Sequence, residues 1–349
     1  MKIYTNIFEK IISLENLFSA WEEFKKDKQK KLDVQEFELH LEQNIFQLYR
    51  ELKNRTYKHG PYTSFYVHDP KLRHIHKADV KDRVLHHAIF QILNPIFEST
   101  FISESFSCRV NKGTHKGVRY VEKIIRKVSK NHTKTCFILK CDIKKFFDSV
   151  DHDVLLKILG KTVKDKDATR LLEDIVESFV SERSTLFNRS GIPLGNLTSQ
   201  LFANVYMNEL DQFIKHDLKI KYYARYTDDF VVISEDEVYL QKLVQTIDFF
   251  LTQRLNLKMH PQKVSIQKSY RGVDFLGYIV LPHHKLVRAK TRKRMFRKVK
   301  EQTIQYKNEK RNRNTLNQSL QSYLGVLSHA NTHQLSQDLK NKYWFWMNN

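Results

Sequence analysis

Two aspartates stand side by side in the segment 222–234, YYARYTDDFVVIS, between runs of aromatic and β-branched residues that read as buried strands. The pair, Asp228 and Asp229, falls where a tight turn belongs, and ionised carboxylates repel each other. A third acid, Asp142, closes another apolar run in LKCDIKKFF. Three carboxylates at the ends of neighbouring strands make one concentrated negative site, which costs energy unless cations neutralise it. Oxygen ligands of this kind favour Mg2+, with Mn2+ as the alternative ion, and Mg2+ keeps waters and borrows further ligands from substrate phosphates. Two such ions about 4 Å apart activate an attacking hydroxyl and stabilise a leaving pyrophosphate. An Asp-Asp turn alone would be ordinary, because aspartate suits turns. The third acid and the charge of the whole chain are what point to metal chemistry.

The elements that must position these acids are legible in the periodicity. Residues 1–57 read as a helical extension, with Leu14, Leu17, Phe18 and Trp21, then Phe37, Leu41, Ile45, Leu48 and Leu52, at helical spacing around a basic break at 25–31. GPYTSFYVHDP (60–70) reads as a strand, and the segment from Lys71 to Leu93 begins basic and becomes helical. KTCFILKCDI (134–143) is a buried strand ending in an acid. VDHDVLLKILGK is a helix opened by an Asp151 cap, and TSQLFANVYMNELDQFIKH is another helix. YYARY and FVVIS form a hairpin around the aspartates, and VDFLGYIVLP reads as a last strand. From about residue 281 the chain turns basic, with nine Lys and Arg in the sixteen residues of KLVRAKTRKRMFRKVK (285–300), and a helical tail ends in YWFW.

Composition narrows the partners. With 60 Lys+Arg against 39 Asp+Glu, the formal net charge is +21, which suggests a polyanionic partner. Hydrophobic residues make up 41% of 349 residues, enough for a sizeable core. There is no run of about 18 apolar residues and no signal-peptide pattern, so no membrane partner and a cytoplasmic location are expected. The three cysteines, Cys108, Cys136 and Cys141, form no CxxC and suit a reduced compartment. The paired histidines (74 and 76, 86 and 87, 283 and 284) lack partners at structural zinc spacing.

The order of these motifs resembles the prokaryotic reverse transcriptases. Tyr226-Thr227-Asp228-Asp229, downstream of a strand ending in Asp142, resembles the palm of that family. PKLRHIHKADVKDRVLHHAIFQIL resembles its fingers segment, FISESFSCRVNKGTH the block that follows, GIPLGNLTSQLFANVYMNELD its template–primer motif, and LKMHPQKV and FLGY its closing palm motifs. The resemblance covers nearly the whole chain. Within LGNLTSQ, a hydrophobic residue before the glycine and a final glutamine resemble the enzymes of diversity-generating retroelements, as does the tail SYLGVLSHANTHQL. Thr227 departs from the methionine most of that group carries, and related reverse transcriptases serve phage defence.

The resemblance implies an α+β right-hand polymerase: an N-terminal helical extension (1–57), interleaved fingers and palm (58–280) and a helical basic thumb (281–349). It implies RNA-templated DNA synthesis on an RNA template, from a DNA or RNA primer and dNTPs. A small basic accessory protein or a second reverse transcriptase would be further partners. Asp142 and Asp228 would bind both metals with the backbone carbonyl of Ile143, and Asp229 would complete the acidic cluster. Phe147, five residues after Asp142, would be a steric gate against a ribose 2′-OH, the alternative being core packing by Phe146 or Phe147. Lys71 and Arg73 would grip the triphosphate. Leu194, Gly195 and Gln200 would lie near the templating base, Leu194 replacing a side chain able to hydrogen-bond the nucleotide. Lys263 would protonate the leaving pyrophosphate or bind phosphate. Phe275, Leu276, Gly277 and Tyr278 would form the primer grip. Arg83 would be a structural or a template-backbone contact. Arg288, Lys290, Arg292, Lys293, Arg294, Arg297 and Lys298 would meet backbone phosphates in a sequence-independent, salt-sensitive way. The competing function is a catalytically idle RNA-binding scaffold, which three intact acids disfavour. RNA synthesis on the same palm is disfavoured by Phe147.

Overall fold

The computed structural model describes residues 2–68, 71–181, 184 and 189–349. Four helices open the chain: α1 (Phe8–Ile12), α2 (Leu14–Lys25), α3 (Leu32–Leu39) and α4 (Leu41–Lys53). Ser13 caps α2 by accepting from the Asn16 amide, and Leu17, Ala20, Trp21 and Phe24 form its buried stripe. The stripe from Phe37 to Leu52 is divided between α3 and α4, because His40 leaves helical dihedrals at φ −119°.

An antiparallel hairpin follows, β1 (Thr63–Val67) with β2 (Arg73–Lys77). The expected strand over 60–70 is thus shorter, and Asp69 and Pro70 lie outside the described residues. The basic opening of the next segment is strand, and the helix α5 (Val80–Glu98) begins only at Val80. Next come α6 (Thr114–Val128), β3 (Phe137–Asp142), the short α7 (Phe146–Ser149), α8 (His152–Thr162), α9 (Lys166–Glu177) and α10 (Leu197–Gln212). Asp151 caps α8 by accepting from the Val154 amide. A π-helical turn leads to β4 (Tyr223–Tyr226) and β5 (Asp229–Ser234), then α11 (Glu237–Leu255) and β6 (Ser265–Lys268).

The central sheet has the order β4-β5-β3-β6, antiparallel throughout. Its inner strands are covered on both faces, and the period of two sorts their side chains. Leu139, Cys141, Tyr223, Phe230 and Val232 join one core with α1–α5 and α8–α11. Ile138, Ala224, Val231 and Ile233 join a second core with α6 and the C-terminal elements. This double coverage explains why the strands read as continuous apolar runs. Each large apolar side chain so buried contributes about 1.5–3 kcal/mol.

One expectation needs correction here. VDFLGYIVLP is a hairpin, β7 (Val273–Phe275) and β8 (Tyr278–Val280), followed by β9 (Lys285–Val287). Leu276 and Gly277 turn it, with φ of 51° and 93°, the positive pair that a type I′ two-residue hairpin loop requires. The basic run is likewise split: its first three residues are β9, and the helix α12 (Ala289–Lys307) starts after Arg288. α13 (Arg313–Ser328) and α14 (His333–Asn348) complete the chain. Met295, Val299, Leu316, Leu320, Leu339 and Tyr343 of these three helices bury against the second core.

Candidate active site

Asp142 is the last residue of β3 and stands directly opposite Asp229, the first residue of β5. The carbonyl of Asp142 accepts from the His260 amide at 2.7 Å, on the side of β3 away from β5. Asp142 and Asp229 are therefore a non-hydrogen-bonded pair, the kind whose Cα atoms lie about 4.5 Å apart with side chains on one face. Asp228 sits beside them in the two-residue loop between β4 and β5, after Tyr226 has paired with Asp229. Ile143 bridges Met259, and the flanking bonds, Lys144 amide to Lys258 carbonyl and His260 amide to Asp142 carbonyl, leave that pair non-hydrogen-bonded as well. The amide and carbonyl of Ile143 consequently face the hairpin side.

Two lysines partly neutralise the acids. Lys263 Nζ donates to Asp142 Oδ1 at 2.8 Å. Lys140, two residues before Asp142 on the same face, donates to the Asp274 carbonyl at 2.7 Å and lies 3.8 Å from Asp229 Oδ1. That oxygen is buried and has no hydrogen-bond partner. Burial, with the charge of Asp142 second, pushes the Asp228 carboxyl up to about 6. Burial also raises Asp229, against the pull of Lys140. Among the described residues, no three His, Cys, Asp or Glu side chains as placed surround a common point in ligating geometry, and two of these three acids face lysines instead. The donor set nevertheless suits a divalent cation: hard oxygens only, one of them orphaned, and a carboxyl whose ionised form lacks compensation.

A cleft of about 530 Å3 opens nearby in sequence, lined among others by Arg73 and His74 of β2, Lys145 and Asp148 after Asp142, and Leu194. The His76 amide donates to the Leu194 carbonyl at 3.2 Å, docking β2 on the loop before α10. Gly195, at φ +136°, allows this approach, since a Cβ there would lie 3.0 Å from the His76 carbonyl oxygen. Phe146 is buried in the core, whereas Phe147 is only half-buried, and its carbonyl accepts from the Ile192 amide at the cleft wall. Lys71 and Gln200 are exposed.

Of the remaining residues, Arg288 also bears on the acids, its charge drawing Asp229 down, and others fall into the scaffold. Arg83 pairs with Asp33 at 2.5 Å and lies over the Phe24 ring, so its surroundings favour the structural alternative. Phe275 and Tyr278 are buried, Leu276 packs over Gly117 of α6, and Gly277 turns the hairpin. Arg288 bonds Asp274, while Lys290, Arg292, Lys293 and Arg297 are exposed on α12 and Arg294 and Lys298 are half-buried. Tyr343 is buried, and Trp344 and Phe345 are exposed.

The spatial order, an acid-tipped strand beside a strand–Asp-Asp–strand hairpin with a separate basic hairpin, is that of a right-hand polymerase. Residues 61–280 match the family described as reverse transcriptase (RNA-dependent DNA polymerase). The chain belongs to that family. Protein YkfC of Escherichia coli K12 is 24% identical over 256 residues, covering 64% of this chain and 65% of that protein. The group II intron-encoded protein LtrA of Lactococcus lactis subsp. cremoris is 22% identical over 303 residues, covering 68% of this chain and 49% of LtrA. The chain thus spans less than two thirds of the length of these relatives. Among solved structures, an apo telomerase from Candida tropicalis aligns with 68% of this chain and 59% of its own at 12% identity and a TM-score of 0.48. No helix among the described residues is long and apolar enough to cross a membrane.

Sequence reasoning passed over one group at this site. Arg225, fully buried one residue before Tyr226, holds Asp211 of α10 in a two-pronged ion pair. The signal was available, since a charge inside the apolar run YYARY requires a partner.

Proposed function

We propose that the protein is an RNA-directed DNA polymerase in which Asp142, Asp228 and Asp229 form the catalytic acids. The observation that carries this reading is the register that sets Asp142 opposite Asp229 with Asp228 in the adjoining loop. Asp142, Asp228 and the Ile143 carbonyl would hold two Mg2+ ions, which when bound neutralise phosphate charge and favour the ionised form of the primer 3′-OH. The protein's own part is positional. Arg73 on the cleft wall and Lys71 bind the triphosphate, and Phe147 presents its ring below the sugar and excludes a 2′-OH. Lys263 rides on a flexible stem that lets its ammonium turn from Asp142 to the leaving pyrophosphate. The hairpin β7–β8 steadies the primer, and the exposed cations of α12 follow the duplex backbone, residues 281–349 serving as the thumb.

The finer reading is an error-prone enzyme of the diversity-generating type, acting on a dedicated RNA with a small basic accessory protein. It is supported by Leu194 and Gln200 flanking the template motif, with Leu194 lining the cleft where a polar side chain would read the nucleotide. Thr227 departs from that type, and the second reading is a reverse transcriptase of phage defence.

Primer extension on an RNA template with Mg2+ and dNTPs tests the chemistry, with Asp228→Asn as the control. Undiminished synthesis by that variant would sink the assignment. Sequencing the cDNA tests the subtype: errors concentrated at template adenines, reduced in Leu194→Gln, are expected, and a flat spectrum in both would favour the defence reading.

A further inference from the structure

The loop that carries Asp228 begins at Thr227, whose φ of 56° is in the left-handed region, an uncommon place for a β-branched residue. Something must hold it there. On the face of the sheet opposite the three acids, the Arg225 side chain reaches the loop: Nη1 donates to the Thr227 carbonyl at 3.0 Å. The same guanidinium is fixed from behind. Nε and Nη2 donate to the two oxygens of Asp211 at 2.8 and 2.6 Å, and Nη2 also donates to Ser105 Oγ at 3.0 Å. Tyr223 Oη adds a further bond to Asp211 at 2.8 Å. The Arg225 backbone is clamped as well, its amide donating to the Glu104 carbonyl and its carbonyl accepting from the Phe106 amide. The segment 104–106 therefore lies along the outer edge of β4. The neighbouring Ser107 accepts from Thr227 Oγ1 at 2.6 Å. A planar donor fork bound to a carboxylate has little freedom, so whatever it also bonds is held where it stands.

We propose that Arg225 is a positioning residue for the catalytic loop: anchored on Asp211 and Ser105, it grips the Thr227 carbonyl and sets where the Asp228 carboxylate stands relative to Asp142. This rests on the reading of the three acids as catalytic. The network ties three sequence blocks to the loop: the helix that begins within LGNLTSQ through Asp211, the ESFSC segment through Ser105 and Ser107, and strand β4 itself. A lysine at 225 keeps the charge opposite Asp211, but its single ammonium on a flexible stem cannot reproduce the fork that also holds Ser105 and the loop carbonyl.

The test compares Arg225→Lys with the triple variant Arg225→Met, Asp211→Leu, Tyr223→Phe, which removes the ion pair together with the hydroxyl that bonds it. In primer extension, Arg225→Lys should lower kcat by about 30-fold with KM for dNTP nearly unchanged, since a full displacement of about 1 Å can cost about a hundredfold and the lysine keeps part of the anchor on Asp211. The half-saturating Mg2+ concentration should rise in parallel. The triple variant should melt at or above the temperature of Arg225→Met alone yet remain as slow as Arg225→Lys, because stability returns and the grip on Thr227 does not. Recovery of kcat in the triple variant, or wild-type kcat and Mg2+ dependence in Arg225→Lys, would overturn the proposal. Asp228→Asn, run beside them, separates the two readings: if it alone is inactive, the acids are catalytic and Arg225 is merely structural, whereas an active Asp228→Asn removes the premise.

Discussion

Two groups of carboxylates occupy opposite faces of the same hairpin, and they are treated in opposite ways. Asp211 is fully buried, yet each of its oxygens is bonded, by the two prongs of Arg225 and by Tyr223. Asp228 and Asp229 are only half-buried, yet burial and then the charge of Asp142 hold Asp228 up to about 6, and Asp229 Oδ1 has no hydrogen bond. Partners are available to both groups, because the chain carries 60 Lys and Arg. A buried charge that is fully paired serves architecture, while one left short of compensation awaits a ligand.

The comparison is broken most severely at Asp228. Asp228→Asn should lose at least about a thousandfold in DNA synthesis, as removal of a charge-stabilising group does, measured by single-turnover extension. In metal-free buffer at pH 7.5 the same variant should unfold at higher denaturant. Raising the carboxyl from 3.8 to about 6 holds back at most about 3 kcal/mol, less with solvent screening. On the other face, Arg225→Met should destabilise by about 3–5 kcal/mol, the cost of leaving the Asp211 charge buried alone, read by chemical denaturation.

Lys263 sharpens the contrast. Its pair with Asp142 is partly open to solvent, with the lysine side chain 43% and the aspartate 16% exposed, so Lys263→Ala should change stability by about 1 kcal/mol or less. If the lysine delivers a proton or binds phosphate, turnover should nevertheless fall by about a hundredfold. The last test is the pH dependence of the Asp228 penalty. Asp228 is raised in the folded chain, so its ionisation opposes folding. The stability advantage of Asp228→Asn over wild type in metal-free buffer should be full above about pH 6, shrink as the pH falls through that value and vanish near pH 4. Urea titrations at four pH values would show it, and an advantage that grew with acidity would contradict the assigned burial of Asp228.

Much of the fold is visible in one dimension. The strand ending in Asp142, the hairpin around Asp228 and Asp229, and the Asp151-capped helix all stand where periodicity and turn chemistry put them. The α9 and α11 helices are harder to see although Asp165 and Asp236 cap them, because a cap signals only once the apolar stripe behind it is counted. FLGY read as continuous strand because phenylalanine, leucine and tyrosine all favour β structure. Only the backbone shows Leu276 taking positive φ beside Gly277. Arg83 could not be assigned from its neighbours, since Asp33, which pairs with it, lies in a separate helix.

The order of the motifs pointed to the family and to the three acids, because side-chain chemistry and strand period are properties of the local chain. Register was decided elsewhere. That Asp142 meets Asp229 rather than its neighbour, that Arg225 finds Asp211 on a helix and Ser105 on a distant loop, and that Lys140 bends to Asp274 all depend on pairing across long sequence separations. A shift of one residue would turn each side chain to the other face, and only the packing of two cores against one sheet holds that register.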